Sequence, residues 1–179
     1  MRQSWALFSS EVSEKNVSDI INIGRQNLER AKTFNDADGS VRKSYVSFLN
    51  DQFDLQNFLF NYVDRVNQES FNVSLYNKAN IQYTEYHGSE GGHYNWHHDV
   101  DWTRDDGLDR KLSITVQLSD PKDYTGGEFE FSEVENIPSH YKAKGSIIVF
   151  PSYLQHTVKP VTAGLRRSLV AWFEGPRWS

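Results

Sequence analysis

Two histidines and an aspartate carry the densest chemistry in this chain. In Tyr94-Asn95-Trp96-His97-His98-Asp99, His97 and Asp99 are separated by one residue. On a strand that spacing turns both side chains to one face and His98 to the other. Imidazole plus carboxylate suits a borderline divalent metal. His156, which follows an apolar run ending at Phe150 and a short loop, supplies the third ligand. Two histidines and one carboxylate make the facial triad that holds iron(II) and leaves three octahedral positions open, although zinc could take the same ligands. The pair alone is a weak signal, because Asp99, Asp101, Asp105, Asp106 and Asp109 form an acidic run that reads equally well as a solvated turn.

A more specific signal lies ten residues beyond His156. Lys159 to Gly164 reads as a hairpin turn, and Arg166 follows on the returning strand. A keto acid chelated to the metal, as 2-oxoglutarate would be, needs a cation for its distant carboxylate. A guanidinium meets a carboxylate bidentately and keeps its charge when buried. Ser168 shares the strand parity of Arg166 and could add a hydroxyl, whereas Arg167 should face solvent on the opposite side.

The elements that must position these residues fall into two parts. Residues 1–72 read as mainly helical support. Asn16-Val17-Ser18-Asp19 offers cap chemistry for a helix running to about Lys32, and a second helix is expected from Asn50 or Asp51 to about Gln68. A polar loop from Phe34 to Arg42 and a short strand from Val41 to Leu49 separate them. Residues 80–176 change to short alternating segments. Strands are expected at Asn80 to Tyr86, Asn95 to Val100, Lys111 to Leu118, Gly127 to Phe131, Lys144 to Phe150, His156 to Pro160 and Arg166 to Glu174. The fold class is therefore α+β, mainly β, in a sandwich or barrel, with all 179 residues in a single domain.

Composition narrows the function. With no cysteine, thiolate metal sites, disulfides and cysteine nucleophiles are out. A net charge of −5 disfavours nucleic acid and anionic membranes as partners. No run approaches the roughly 18 apolar residues that cross a bilayer. The start, Met1 to Phe8 followed by Glu11 and Glu14, lacks a secretory apolar segment, so a cytoplasmic location is expected.

With these residues in place, the chain resembles the prolyl 4-hydroxylase-like, or PKHD-type, branch of the iron(II) and 2-oxoglutarate-dependent dioxygenases over about residues 80 to 176. Tyr94-x-x-His97-x-Asp99, the strand from Arg110 to Asp120, Gly126-Gly127-Glu128-Phe129, and the order His156, Pro160, Val161, Gly164, Arg166 carry the likeness. The resemblance implies a double-stranded β-helix, or cupin-like jelly roll, supported by N-terminal helices. It also implies iron(II) and 2-oxoglutarate, with ascorbate as an optional further cofactor. The expected reaction consumes oxygen and couples decarboxylation of 2-oxoglutarate to succinate with hydroxylation of a peptidyl residue, proline first. Tyr86 matches the family's tyrosine at 2-oxoglutarate, with Tyr83 as the alternative because the following segment is about two residues longer than usual. Arg110 and Trp172, the latter six residues beyond Arg166, match substrate-groove positions.

The rival readings are hydroxylation of another protein residue or a small molecule, nucleobase dealkylation, and a non-catalytic cupin-like metal module. Trp172 stands where a dealkylase of this kind would carry a second arginine. Of the other conspicuous residues, His93 reads as a loop residue and His87 and His140 as surface. Trp96 and Trp102 read as packing for the barrel or its lid, and the segment from Asp101 to Asp109 as a mobile loop.

Overall fold

The computed structural model describes residues 3–33 and 35–179. Phe34, the expected start of the polar loop, lies outside the described residues, as do Met1 and Arg2 of the segment read for a leader. Among the described residues, twelve strands and two α-helices follow in the order β1 (Ala6–Phe8), α1 (Glu14–Gly24), β2 (Glu29–Arg30), β3 (Arg42–Lys43), β4 (Tyr45–Phe48), α2 (Phe53–Val66), β5 (Ala79–His87), β6 (His93–His97), β7 (Leu108–Gln117), β8 (Tyr124–Gly126), β9 (Phe129–Phe131), β10 (Ile147–Pro151), β11 (His156–Val158) and β12 (Val161–Pro176).

The strands form two sheets. The larger has the order β1-β10-β7-β12-β5-β4-β2, with β8 also pairing β12, and the smaller has the order β3-β6-β11-β9. All pairings are antiparallel. This is the jelly-roll arrangement expected from the alternating C-terminal segments, with α1 and α2 as support.

The central strands β5, β7 and β12 are buried on both faces, and each face has its own composition. Ile81, Tyr83, Leu112, Ile114, Val116, Leu169, Ala171 and Phe173 share one core cluster with Val17 and Ile20 of α1 and Leu59 and Val63 of α2. The alternate positions Gln82, Thr84, Ser113, Thr115, Gln117, Arg166 and Ser168 are equally buried but polar. Strand geometry separates them by direction: neighbours along the chain point to opposite sides. The apolar side docks the helices, and the polar side lines the space between the sheets.

Several boundaries differ from expectation. The first helix is capped by Ser13, whose hydroxyl accepts the Asn16 amide, and it ends at Gly24, well short of Lys32. Gly24 is where Tyr83 packs: a Cβ there would lie 2.3 Å from the tyrosine ring. The expected strand from Val41 to Leu49 is split, with β3 in the smaller sheet and β4 in the larger. The turn proposed at Lys159 to Gly164 is mostly strand, because β12 begins at Val161 and pairs there with β8.

Candidate active site

His97 ends β6 and His156 opens β11, and the two are direct cross-strand partners. That pairing, rather than sequence proximity, brings the rings together with centroids 4.3 Å apart. Asp99 does not share a strand with His97: β6 stops at His97, and Asp99 sits in the bend beyond it, where its amide donates to the Ser152 carbonyl at 2.8 Å. The Nε2 atoms of His97 and His156 lie 3.6 Å and 3.5 Å from Asp99 Oδ1. One ligand atom from each residue falls within 4.8 Å of the others, a set that fits one divalent ion.

The ring orientations are fixed from behind. His97 Nδ1 is 2.7 Å from the Asn95 carbonyl and His156 Nδ1 is 2.8 Å from the Leu154 carbonyl. A carbonyl only accepts, so each Nδ1 carries the proton and each Nε2 presents its lone pair, the tautomer a metal requires. Burial pushes His97 down to about 3, helped by the neighbouring His156. Burial would raise the Asp99 carboxyl, yet its neighbours His156 and His97 and the Ser113 hydroxyl hold it below its usual value. A neutral His97 beside an ionised Asp99 has the protonation states of a metal site.

Arg166 is 2 % exposed, and its Nη2 donates to Gln117 Oε1 at 2.9 Å. Its Nε and Nη1, together with Gln117 Nε2, are buried without a hydrogen-bond partner among the described residues. An unpaired buried guanidinium is costly, so its lone donors mark a place for an anion. Arg166, Ser168, Tyr86 and Trp172 line the same pocket as the three metal-site residues. A keto acid with a second, remote carboxylate fits this donor set.

The two tyrosines part by direction. Tyr86 lies across from Arg166 in the β5–β12 ladder, with the guanidinium 5.4 Å from its ring centroid. Tyr83 points to the helical side, where its hydroxyl donates to Glu85 at 2.7 Å. Arg110 stacks on Trp172 with its guanidinium 4.0 Å from the ring centroid.

Other readings need correction. Arg167 is not a free surface residue: its Nε lies 3.5 Å from buried Glu85, which also takes His87 Nε2 at 2.9 Å. His93 opens β6 rather than sitting in a loop. Trp96 and Trp102 are exposed, so neither belongs to the barrel's core. The segment from Asp101 to Asp109 is anchored, because Arg104 Nη1 reaches buried Glu174 at 2.7 Å and β7 already begins at Leu108.

Four contributors went unnoticed in the sequence: Gln117, Ser113, Ser152 and Arg42. The first two could have been found. In Leu112-Ser113-Ile114-Thr115-Val116-Gln117, polar residues alternate with apolar ones in a strand whose neighbours argue for burial on both sides. Ser152 and Arg42 carry no such pattern and reach the site only through tertiary pairing.

Residues 81–174 match the model of the 2OG-Fe(II) oxygenase superfamily, and the chain belongs to that family. It is similar to a PKHD-type hydroxylase of Synechococcus sp. (strain CC9902), 37% identical over 47% of this chain and 37% of the relative. A PKHD-type hydroxylase of Hyphomonas neptunium is 39% identical over 48% of this chain and 39% of its own length. The chain thus spans under half the length of these relatives. In fold it resembles a Pseudomonas putida prolyl-4-hydroxylase, with TM-score 0.73 at 20% identity over 97% of this chain and 93% of that one. It also resembles a Trichoplax adhaerens prolyl hydroxylase solved with a hypoxia inducible factor peptide fragment, with TM-score 0.71 at 15% identity over 95% and 83%. No helix among the described residues is long and apolar enough to cross a membrane.

Proposed function

We propose that the chain is a 2-oxoglutarate- and oxygen-dependent hydroxylase acting on a peptidyl residue, with proline the first choice. In this reading residues 1–179 work as one catalytic domain in the cytoplasm. The observation that carries it is the buried Arg166 with two unpartnered donors on the same pocket as His97, Asp99 and His156. A metal that merely braced the barrel would need no such anchor.

His97, Asp99 and His156 would hold iron(II) through Nε2, a carboxylate oxygen and Nε2. Bound iron, with 2-oxoglutarate and oxygen, supplies the oxidising chemistry that inserts one oxygen atom into a C–H bond while 2-oxoglutarate becomes succinate and carbon dioxide. The chain's own part is placement. Arg166 and Gln117 would take the remote carboxylate, with Tyr86 and Ser168 on the same wall. Phe129 and Phe150 pack against His156 at 5.4 Å and 4.9 Å between centroids, keeping water from that side of the site. Trp172 and Arg110 would hold the substrate at the outer end. Ascorbate, if used, would keep the iron reduced and needs no dedicated residue here.

The test is succinate release from 2-oxoglutarate by the iron-loaded protein, together with mass spectrometry of proline-containing peptides. The expected result is peptide-stimulated succinate and a gain of one oxygen on proline. Oxygen mapped to another residue would overturn the proline assignment. No succinate with any peptide, amino acid or nucleobase would overturn the hydroxylase.

A further inference from the structure

Among the described residues, the arginines divide by partner. Arg25, Arg30, Arg104 and Arg167 form ion pairs with carboxylates. Arg65 lies over the Phe8 ring, and Arg177 donates to the Arg104 carbonyl. The remaining three have no carboxylate partner: Arg42 and Arg166 line the metal pocket, and Arg110 stacks on Trp172 of that lining.

Arg42 reaches the pocket from β3 in the smaller sheet, whereas Arg110 reaches it from β7 in the larger. The Arg42 guanidinium lies 4.5 Å from the Tyr94 ring centroid, and Tyr94 is itself stacked on His97 at 3.5 Å. Its Nε donates to Ser44 Oγ at 2.9 Å. The neighbouring acid, Asp36, forms no ion pair with its guanidinium and turns to the backbone instead: Asp36 Oδ2 accepts the Arg42 amide at 2.8 Å and Oδ1 accepts the Val41 amide at 2.9 Å. Arg42 also lines a second, open depression with Arg30, Lys32, Asp36 and Asp38, so the metal pocket and that depression share a wall. Arg110 makes one hydrogen bond, from Nη1 to the Asp99 carbonyl at 3.4 Å, and burial disfavours its charge.

Charge balance then decides what the substrate must bring. Asp99 is the one carboxylate among the residues lining the pocket. Together with the two carboxylates of 2-oxoglutarate it balances a divalent ion and Arg166. Arg42 and Arg110 are left over. A neutral substrate closing over them would strip water from two cations and return nothing, whereas an anionic one would return charge-assisted hydrogen bonds.

We propose that Arg42, together with Arg110, binds a carboxylate of the substrate, so that the hydroxylated residue lies beside an acidic group. This deepens the hydroxylase reading and rests on it. The carboxylate has two sources, an acidic side chain flanking the target in a peptide or the terminal carboxylate of a short peptide or free amino acid. The depression continuing past Arg42 suits a flanking chain.

The test uses the full chain loaded with iron(II) and 2-oxoglutarate under anaerobic conditions. Equal-length labelled peptides carry one central proline flanked by aspartate and glutamate, by alanine, or by lysine, each with a free or an amidated C-terminus. Binding is read by fluorescence anisotropy, and turnover is then read by oxygen gain in air, with free proline as a further substrate. Acidic flanks are expected to tighten binding about tenfold or more over alanine. Arg42→Gln should abolish that difference, and Arg42→Glu should reverse it in favour of lysine flanks. Metal affinity, read by titration, serves as the control that the variants are folded. A preference seen only with free C-termini, or only with free proline, and lost in Arg42→Gln, assigns the terminal carboxylate. Equal binding and turnover of acidic and neutral peptides would overturn the proposal and leave the hydroxylase standing. A preference unchanged in both Arg42 variants would also overturn it. Absence of turnover with every substrate would remove the hydroxylase reading, and this proposal with it.

Discussion

The two oxygens of Asp99 have different work. Oδ1 faces the histidines, while Oδ2 accepts the Ser113 hydroxyl at 2.7 Å, and Ser113 Oγ is in turn 2.9 Å from Ser152 Oγ. Both serines are fully buried. With Oδ2 occupied, the carboxylate is prepared to offer a metal one oxygen, leaving coordination positions open. Outer partners of this kind typically govern metal affinity by about 10–100-fold. Ser113→Ala is therefore expected to weaken iron(II) or cobalt(II) binding in that range, with Ser113→Thr retaining most of it, both measured by titration calorimetry. Unchanged affinity in the alanine variant would show that the hydroxyl is only filling space. At this scale the metal residues and Arg166 were legible because chemistry restricts which side chains can do their work. Ser152 was not, because a lone serine before a loop has many ordinary uses. Arg42 was hidden for a different reason: its pairing with Tyr94 across β3 and β6 spans more than fifty residues of sequence.

Among the elements, the strands with a full alternating pattern were legible: β5, β7 and β12 were expected within a few residues, except that β12 starts five residues before Arg166. The short strands β1, β2 and β8 were not, since two or three residues hold too few alternations to show a period. The Gly126-Gly127 turn between β8 and β9 illustrates what an element can impose on the site. Gly127 has φ +67°, and a Cβ there would lie 2.9 Å from Arg166 Cδ and 2.9 Å from Val161 Cγ2. The turn thus leaves the space that the Arg166 stem occupies. Gly127→Ala should displace the guanidinium and raise KM for 2-oxoglutarate by about tenfold or more, since small misplacements at a reacting centre are expensive. Metal affinity should not change, because the atoms nearest that Cβ belong to Arg166, Val161 and Tyr124 and not to the metal-site residues. Steady-state kinetics with 2-oxoglutarate varied, beside a metal titration, separate the two; an equal loss in both would mean the turn supports the whole barrel instead.

For the molecule as a whole, the polar cavity sits inside the fold, so its protonation is part of folding stability. In the unfolded chain His97 would take a proton near pH 6.5, while burial lowers its folded value to about 3. The unfolded state therefore binds more protons between those values, and stability falls as pH drops from about 6.5 toward 3. Asp99, also lowered, extends the loss below its ordinary value of 3.8. Denaturant unfolding of the metal-free protein should show this decline, and His97→Gln should flatten it between pH 6.5 and 4. An identical slope in that variant would place the effect elsewhere. The fold class was legible because strand alternation and two amphipathic helices have few ways to pack. The division of the sheet into a folding side and a chemical side was legible only on β12, where Arg166 and Ser168 share a parity, and not on β7, where Ser113 and Gln117 went unnoticed.

Adjacent arginines on β12 make that division consequential. Arg166 enters the cavity and Arg167 meets Glu85, which also pairs with Arg25 just past α1. If β12 slid by one residue against β5 and β7, Arg167 would bring an equivalent charge to the anchor position. The same slide would carry Leu169, Ala171 and Phe173 out of the helix-packed core and put Ser168, Val170 and Trp172 in their place. The anchor itself thus cannot tell the right alignment from the wrong one. The apolar residues on the far side, which never meet a ligand, act as its proofreader.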